Sequence, residues 1–194
     1  SDARLRKNLE MRAKIVAAIR AFFDARGYLE VETPIVVAKP GMEPHLEPFQ
    51  TEVADPFGNR YGAFLITSPE YAMKKLLVAG FPKIYQLAKC FRNGEAFGGR
   101  HNPEFTMLEW YQAGTDYRGI MDETEALVKD VAQKVFGTTE ISWRGEKIDL
   151  GKTWERLTVC QAMKKYAGIN LDAALTDKKL LVEAAAKLGH ALPA

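Results

Sequence analysis

Apolar positions recur at helical spacing over residues 4–26, where Leu9, Val16, Ile19 and Phe23 fall on one stripe, with Arg and Lys elsewhere. Gly27 stands where a left-handed C-terminal cap belongs. The run Tyr28-Leu29-Glu30-Val31-Glu32-Thr33 predicts a strand stopped by Pro34. Residues 35–60 are rich in Pro and Gly, with short extended pieces around Leu46–Val53. Phe64-Leu65-Ile66-Thr67 predicts a short buried strand. Ser68-Pro69-Glu70 then predicts a helix start, with Ser as N-cap, Pro at the first helical position and Glu at the positive end of the dipole. That helix runs to about Ala79 and stops at Gly80.

Two strands follow, over 83–92 and 103–112, joined by a polar loop that contains glycine. A second amphipathic helix covers 117–136 and closes at Gly137. Ile141–Leu150 predicts a hairpin turning at Arg144-Gly145. Thr158 and Gln161 have capping-box spacing, opening a short helix that ends at Gly168. A last helix covers 177–188. The order of helix, strands, helix, antiparallel pair and helices predicts an α+β fold rather than the alternating strands and helices of a parallel sheet.

Composition narrows the classes. The chain has 194 residues, 27 Lys plus Arg against 25 Asp plus Glu, so no strong field makes nucleic acid the default partner. Cys90 and Cys160 have neither metal-ligand spacing nor a disulfide framework, which fits a reducing, cytoplasmic compartment. No apolar run approaches a membrane span.

Candidate chemistry concentrates between Cys90 and Tyr111. Strand side chains alternate, so Phe105, Met107, Glu109 and Tyr111 share one face, and Thr106, Leu108 and Trp110 the other. The second set is suited to the core. The first combines a flat aromatic, a carboxylate and a phenol along roughly 20 Å of strand. An elongated ligand fits there, with a base on Phe105 and an ammonium near Glu109 and Tyr111. Arg92 ends the preceding strand, where a guanidinium can clamp a phosphate or carboxylate through two parallel hydrogen bonds. The loop holds Glu95, Arg100, His101 and Asn102 between glycines, placed to grip a nucleotide.

Phe91-Arg92-Asn93 followed by Arg100-His101-Asn102-Pro103-Glu104-Phe105-Thr106-Met107-Leu108-Glu109-Trp110-Tyr111 resembles motif 2 of class II lysyl-tRNA synthetases. It looks closer still to the paralogues that lysylate elongation factor P, where Met-Leu-Glu-Trp-Tyr is the usual form. Arg26-Gly27-Tyr28-Leu29-Glu30-Val31-Glu32-Thr33-Pro34 is similar to motif 1, a dimer-forming helix and strand. His45-Leu46-Glu47-Pro48-Phe49, Thr67-Ser68-Pro69-Glu70-Tyr71 and Trp154-Glu155-Arg156-Leu157-Thr158-Val159 also match that group. The chain departs from it by carrying Gly94 before Glu95, and by a loop one residue longer before His101.

The resemblance implies a class II synthetase-like antiparallel sheet flanked by helices. It places part of the catalytic core in residues 1–138, and a hairpin with a helical segment in 139–194. It implies that Arg92 is the catalytic residue, binding the ATP α-phosphate and the amino-acid carboxylate. Asn93, Glu95, His101 and Asn102 would approach the nucleotide, and Phe105 would stack on adenine. Ser68, Glu70, Glu109 and Tyr111 would contact the amino acid. The implied reaction is ATP-dependent activation of lysine or β-lysine for transfer to elongation factor P, by a cytoplasmic homodimer without a membrane anchor. A lysyl-tRNA synthetase core, with tRNA as acceptor, is the first alternative; a non-catalytic synthetase-like binding module is the second. Motif 3 and the acidic ligands for Mg2+ are expected beyond Ala194, so the chain reads as a fragment, inactive alone and holding no metal ligand itself.

Overall fold

A computed structural model describes residues 2–94, 99, 101–175 and 177–189. Two compact units divide the chain, residues 1–151 and 152–194.

In the first unit, helix α1 (Asp2–Asp24) brings Phe22 and Phe23 to full burial at its C-terminal end. Gly27 takes φ 74°, and the amide of Tyr28 donates to the Phe23 carbonyl at 3.1 Å, closing the helix with a left-handed turn. The expected stripe is buried only in its C-terminal part. Leu9 is 57 % exposed.

Strand β1 is shorter than the pattern predicts, covering Leu29–Glu30 alone. It runs parallel to β5 (Lys83–Phe91), with Leu29 opposite Ile84, and the Val31 amide adds one more bond to the Tyr85 carbonyl at 2.9 Å. Strand β5 pairs antiparallel with β6 (Glu104–Gln112) over its whole length, from Lys83 opposite Gln112 to Phe91 opposite Glu104. This sheet has the order β1-β5-β6.

A second sheet was not expected in full. β2 (Val36–Val37), β3 (Gln50–Ala54) and β4 (Arg60–Leu65) assemble in the order β2-β4-β3. The β3–β4 turn is built by Asp55, whose Oδ1 accepts from the amides of Phe57 at 2.8 Å and Asn59 at 2.9 Å, while Gly58 takes φ 87°. Those turn residues lie in the Pro- and Gly-rich stretch for which only short extended pieces around Leu46–Val53 are expected.

Helix α2 (Glu70–Val78) begins one residue later than expected: Pro69 occupies the N-cap position. Ser68 still serves the helix, since its Oγ accepts the Glu70 amide at 3.0 Å. Helix α3 (Tyr117–Phe136) closes at Gly137 with φ 72°, as its pattern predicts, and its N-cap is Asp116, whose side chain accepts from the amides of Arg118 and Gly119. It packs on α1. The core between them stacks Phe23 on Tyr85 at 4.7 Å between centroids and places Tyr28, Trp110 and Leu127 around that pair. Leu108 and Trp110 thus point to the core, as strand alternation requires. The unit ends in a hairpin, β7 (Glu140–Trp143) and β8 (Glu146–Asp149), turning at Arg144 and Gly145, both at positive φ.

In the second unit, Thr158 and Gln161 form the expected capping box at the head of α4 (Val159–Ala162). The helix continues as a π-helical segment, Met163–Ala167, and Gly168 ends it at φ 68°. A short α5 (Leu171–Ala174) and α6 (Lys178–Lys187) complete the unit; α6 matches the expected last helix, and α5 was not foreseen.

Candidate functional site

The β5–β6 pair presents two faces, and the one turned away from the aromatic core carries the candidate chemistry. Register sets Cys90 opposite Phe105, Ala88 opposite Met107, Gln86 opposite Glu109 and Ile84 opposite Tyr111. Phe105 and Met107 rest against a small buried cluster of Ile66, Ala88 and Cys90. Burial, and then the charge of Glu109, pushes the Cys90 thiol up to about 11, with Arg92 pulling the other way. That thiol is therefore neutral at physiological pH and belongs to the apolar floor.

At one end of the face, Glu109 is held from both sides. Ser68 Oγ donates to Glu109 Oε2 at 3.0 Å, and Tyr111 Oη donates to Glu109 Oε1 at 2.5 Å. Ser68 is thereby shared between the head of α2 and strand β6. Burial first, then the bond to Glu109 and the charges of Glu109 and Glu70, hold the Tyr111 phenol well above its ordinary value. Tyr111 stays a proton donor across the physiological range. Glu70, on the first turn of α2, forms an ion pair with Lys74 one turn along. That pair is exposed, and Lys74 is held charged by Glu70 first and by Glu109 at longer range.

At the other end, the Arg92 guanidinium lies 5.2 Å from the centre of the Phe105 ring. Its Nε donates to the Thr67 carbonyl at 3.3 Å, which leaves the terminal nitrogens for a ligand. Asn93 is tied to a segment that sequence reasoning did not assign to the site. Its amide donates to the Glu47 carbonyl at 2.8 Å and its Nδ2 to Glu47 Oε1 at 3.4 Å. Glu47 lies in a stretch that matches the family, but nothing in its spacing marks it as a partner of Asn93.

Ser68, Glu70, Glu109 and Tyr111 therefore meet at one end of the face, and Arg92 meets Phe105 at the other. His101 and Asn102 lie exposed on the returning arm of the β5–β6 loop, with Asn102 just before Pro103, whose carbonyl accepts the Arg92 amide at 2.9 Å. Glu95 lies outside the described residues. Among the described residues, no cluster of three or more His, Cys, Asp or Glu is placed to hold a metal ion, and no helix is long and apolar enough to cross a membrane. Thr33 and Gln86, which also reach this face, carried no signal in the sequence.

The protein-family model described as tRNA synthetases class II (D, K and N) matches residues 1–187. A lysine–tRNA ligase of Thermoanaerobacter pseudethanolicus is 43 % identical over 182 residues, which cover 91 % of this chain and 34 % of that protein. A lysine–tRNA ligase of Ralstonia nicotianae is 39 % identical over 181 residues, covering 91 % and 34 %. A lysine–tRNA ligase of Pelotomaculum thermopropionicum is 41 % identical over 169 residues, covering 84 % and 31 %. The chain spans about a third of the length of the curated relatives it matches. With a face of aromatic, guanidinium and clamped carboxylate set in the expected order, and a family match across nearly its whole length, the chain belongs to the class II tRNA synthetases of the D, K and N group.

Proposed function

We propose that this chain supplies the nucleotide- and amino-acid-binding face of an enzyme that activates lysine or β-lysine with ATP, and that elongation factor P receives the activated group. The single observation behind the lysine reading is Glu109, fixed between Ser68 and Tyr111 on the face that also carries Phe105 and Arg92.

A carboxylate oxygen of the amino acid attacks the α-phosphorus of ATP; the bond from that phosphorus to the pyrophosphate oxygen breaks, and pyrophosphate leaves. The protein contributes position and fixed charge. Arg92, anchored through Nε on Thr67, offers its remaining donors to the α-phosphate and the amino-acid carboxylate. Phe105 carries adenine, and Asn93, Glu95, His101 and Asn102 approach the nucleotide from the loop. Glu109, Tyr111, Ser68 and Glu70 receive the ammonium. Mg2+ would supply positive charge to the outer phosphates; among the described residues no cluster is placed to hold it.

In this reading residues 1–138 form the N-terminal part of the catalytic core, and 139–194 a hairpin plus helical segment of the core or of an insertion in it. Leu5 and Leu9, 60 % and 57 % exposed and one helical turn apart, support a homodimer through α1. We assign the enzyme to the cytoplasm on its free cysteines.

A second acceptor, tRNA, is favoured by the names of the relatives, all lysine–tRNA ligases. The Met107-Leu108-Glu109-Trp110-Tyr111 run favours elongation factor P. The test gives radiolabelled lysine, β-lysine and ATP to the intact protein, with elongation factor P or lysine tRNA as acceptor. Label on elongation factor P alone supports the leading reading, and label on tRNA alone replaces it. No ATP–pyrophosphate exchange with any amino acid would leave a non-catalytic binding module.

A further inference from the structure

Strand β5 sends four side chains to the ligand face: Ile84, Gln86, Ala88 and Cys90. Gln86 is the only one that carries a hydrogen-bonding amide. It is 5 % exposed, and it stands directly opposite Glu109. Directly opposed strand residues hold their Cβ atoms about 4.5–5.5 Å apart. Its Oε1 accepts from Thr33 Oγ1 at 3.0 Å, and among the described residues nothing accepts from its amide nitrogen. That nitrogen is not among the wholly buried polar atoms that lack a partner, so this end of the amide is open to a ligand.

The ligand end in question follows from distance. Arg92 follows the end of β5, six residues beyond Gln86, its backbone roughly 20 Å away in extended chain. A carboxylate held by Arg92 is therefore far from Gln86, and the far end of the ligand is what Gln86 meets. Around it stand Glu109, Ser68 and Tyr111, a group built to receive a cation. An ammonium has three N–H donors and no acceptor, so it needs a carbonyl oxygen rather than an amide nitrogen.

Thr33 permits that exchange. A hydroxyl donates or accepts, so it can hold either end of the amide: it donates to Oε1 in the present orientation and would accept from Nε2 after a half-turn about the terminal torsion. We propose that Gln86 is a specificity-determining residue that turns its carbonyl oxygen to the substrate's distal ammonium, with Thr33 as the pivot that satisfies the other end. Glu109 then supplies the charge, and Gln86 a neutral acceptor that fixes the direction of approach. The inference rests on the lysine reading proposed above.

The experiment is amino-acid-dependent ATP–pyrophosphate exchange by the intact protein, with lysine and norleucine, which keeps the chain but lacks the distal nitrogen. The readout is the ratio of kcat/KM for lysine over norleucine, which a merely structural role would leave unchanged. Gln86→Leu, and Gln86→Met as a variant closer in shape, are expected to lower that ratio about tenfold, the loss of one hydrogen bond to a charged group. Gln86→Glu, which is only an acceptor when ionised, is expected to keep or raise it. Thr33→Val is expected to lower it less than Gln86→Leu does, and Thr33→Ser to restore it. An unchanged ratio in both folded apolar variants overturns the inference. So does a Gln86→Glu variant as impaired as Gln86→Leu, since that pattern means the amide donates rather than accepts. A wild-type protein that exchanges with norleucine as readily as with lysine overturns the lysine reading itself, and this inference with it.

Discussion

Ser68 Oγ and Glu109 Oε2 lie 3.0 Å apart, joining the head of α2 to the middle of β6 across 41 residues of chain. The same hydroxyl accepts the Glu70 amide at 3.0 Å, so one serine fixes both the first turn of the helix and the carboxylate proposed to meet the amino acid. Ser68→Ala removes a donor to a charged acceptor, a loss of about 1.5–3 kcal/mol where the group is desolvated. Lysine KM is expected to rise while ATP KM stays put; Ser68→Thr is expected to retain much of the effect. If Ser68→Ala moves both constants equally, the bond serves the fold and not the amino acid.

Arg92 is the second test. In the intact protein Arg92→Ala is expected to lower adenylate formation by about 2–4 kcal/mol in the transition state, the scale for removing one preorganised donor. Arg92→Lys is expected to rescue little, because an ammonium cannot reproduce a fork whose Nε is already committed to Thr67. A structural strand-end arginine would behave otherwise: both variants would melt earlier yet turn over normally per folded molecule. Single-turnover kinetics beside a thermal melt separates the two.

Much of this face was legible before the fold was seen. Alternation alone separated Phe105, Met107, Glu109 and Tyr111 from Leu108 and Trp110, because strand geometry has a fixed period of two. Caps at Gly137 and Thr158 were legible because they act over one helical turn. What escaped was long-range or turn-built. The Ser68–Glu109 and Thr33–Gln86 bonds join residues 41 and 53 positions apart, and no local pattern encodes such a meeting. The β3–β4 hairpin was hidden by its own Pro and Gly, which signal a turn and a loop alike until Asp55 is seen gathering the amides of Phe57 and Asn59. Leu9 had the right period for burial but is 57 % exposed, because period assigns a face and not what covers it.

That exposure yields a third test. Leu5 and Leu9 lie on one face of α1 and lack cover within the chain. The intact protein is expected to sediment as a dimer at micromolar concentration, and Leu5→Glu together with Leu9→Glu to give a monomer with little change in the far-ultraviolet spectrum. A wild-type monomer at tens of micromolar would remove the dimer reading.

Alkaline pH gives a fourth. Tyr85 is held above its ordinary value by burial first and then by its bond to Glu30, and Tyr111 by burial and its bond to Glu109. Both folded-state values are raised, so the neutral phenol is favoured in the fold. The stabilisation is complete below the ordinary phenol value near 10 and is lost as pH rises above it, when the unfolded chain ionises first. Cys90, pushed up to about 11, adds the same sign from about pH 9. Urea unfolding followed by tryptophan fluorescence is expected to change little with these groups between pH 7 and 9 and to weaken steeply from pH 10. Tyr111→Phe is expected to flatten that fall; an equally steep loss in the variant would show that Tyr111 does not contribute.

Amino-acid choice is the last and bears most directly on function. Glu109 is half-buried, and its two oxygens already accept from Ser68 and Tyr111. Those donors are neutral, so the charge of Glu109 remains to be matched when a ligand excludes water. Glu70 has Lys74 as an exposed counter-ion one turn away, an arrangement worth little in water. A ligand with two ammonium groups can satisfy the acidic end and keep its α-amino group paired. A neutral side chain leaves a desolvated carboxylate without a cation, a penalty of a few kcal/mol and a discrimination of about 10²-fold or more. The intact protein is therefore expected to activate lysine or β-lysine over leucine, methionine and aspartate. Glu109→Gln keeps the shape and removes the charge, so it is expected to weaken lysine activation far more than ATP binding. Pyrophosphate exchange over a panel of amino acids measures the first, and nucleotide titration the second. If aspartate or a neutral amino acid outperforms both lysine isomers, the lysine reading fails, while adenylate formation on the Arg92–Phe105 end still stands.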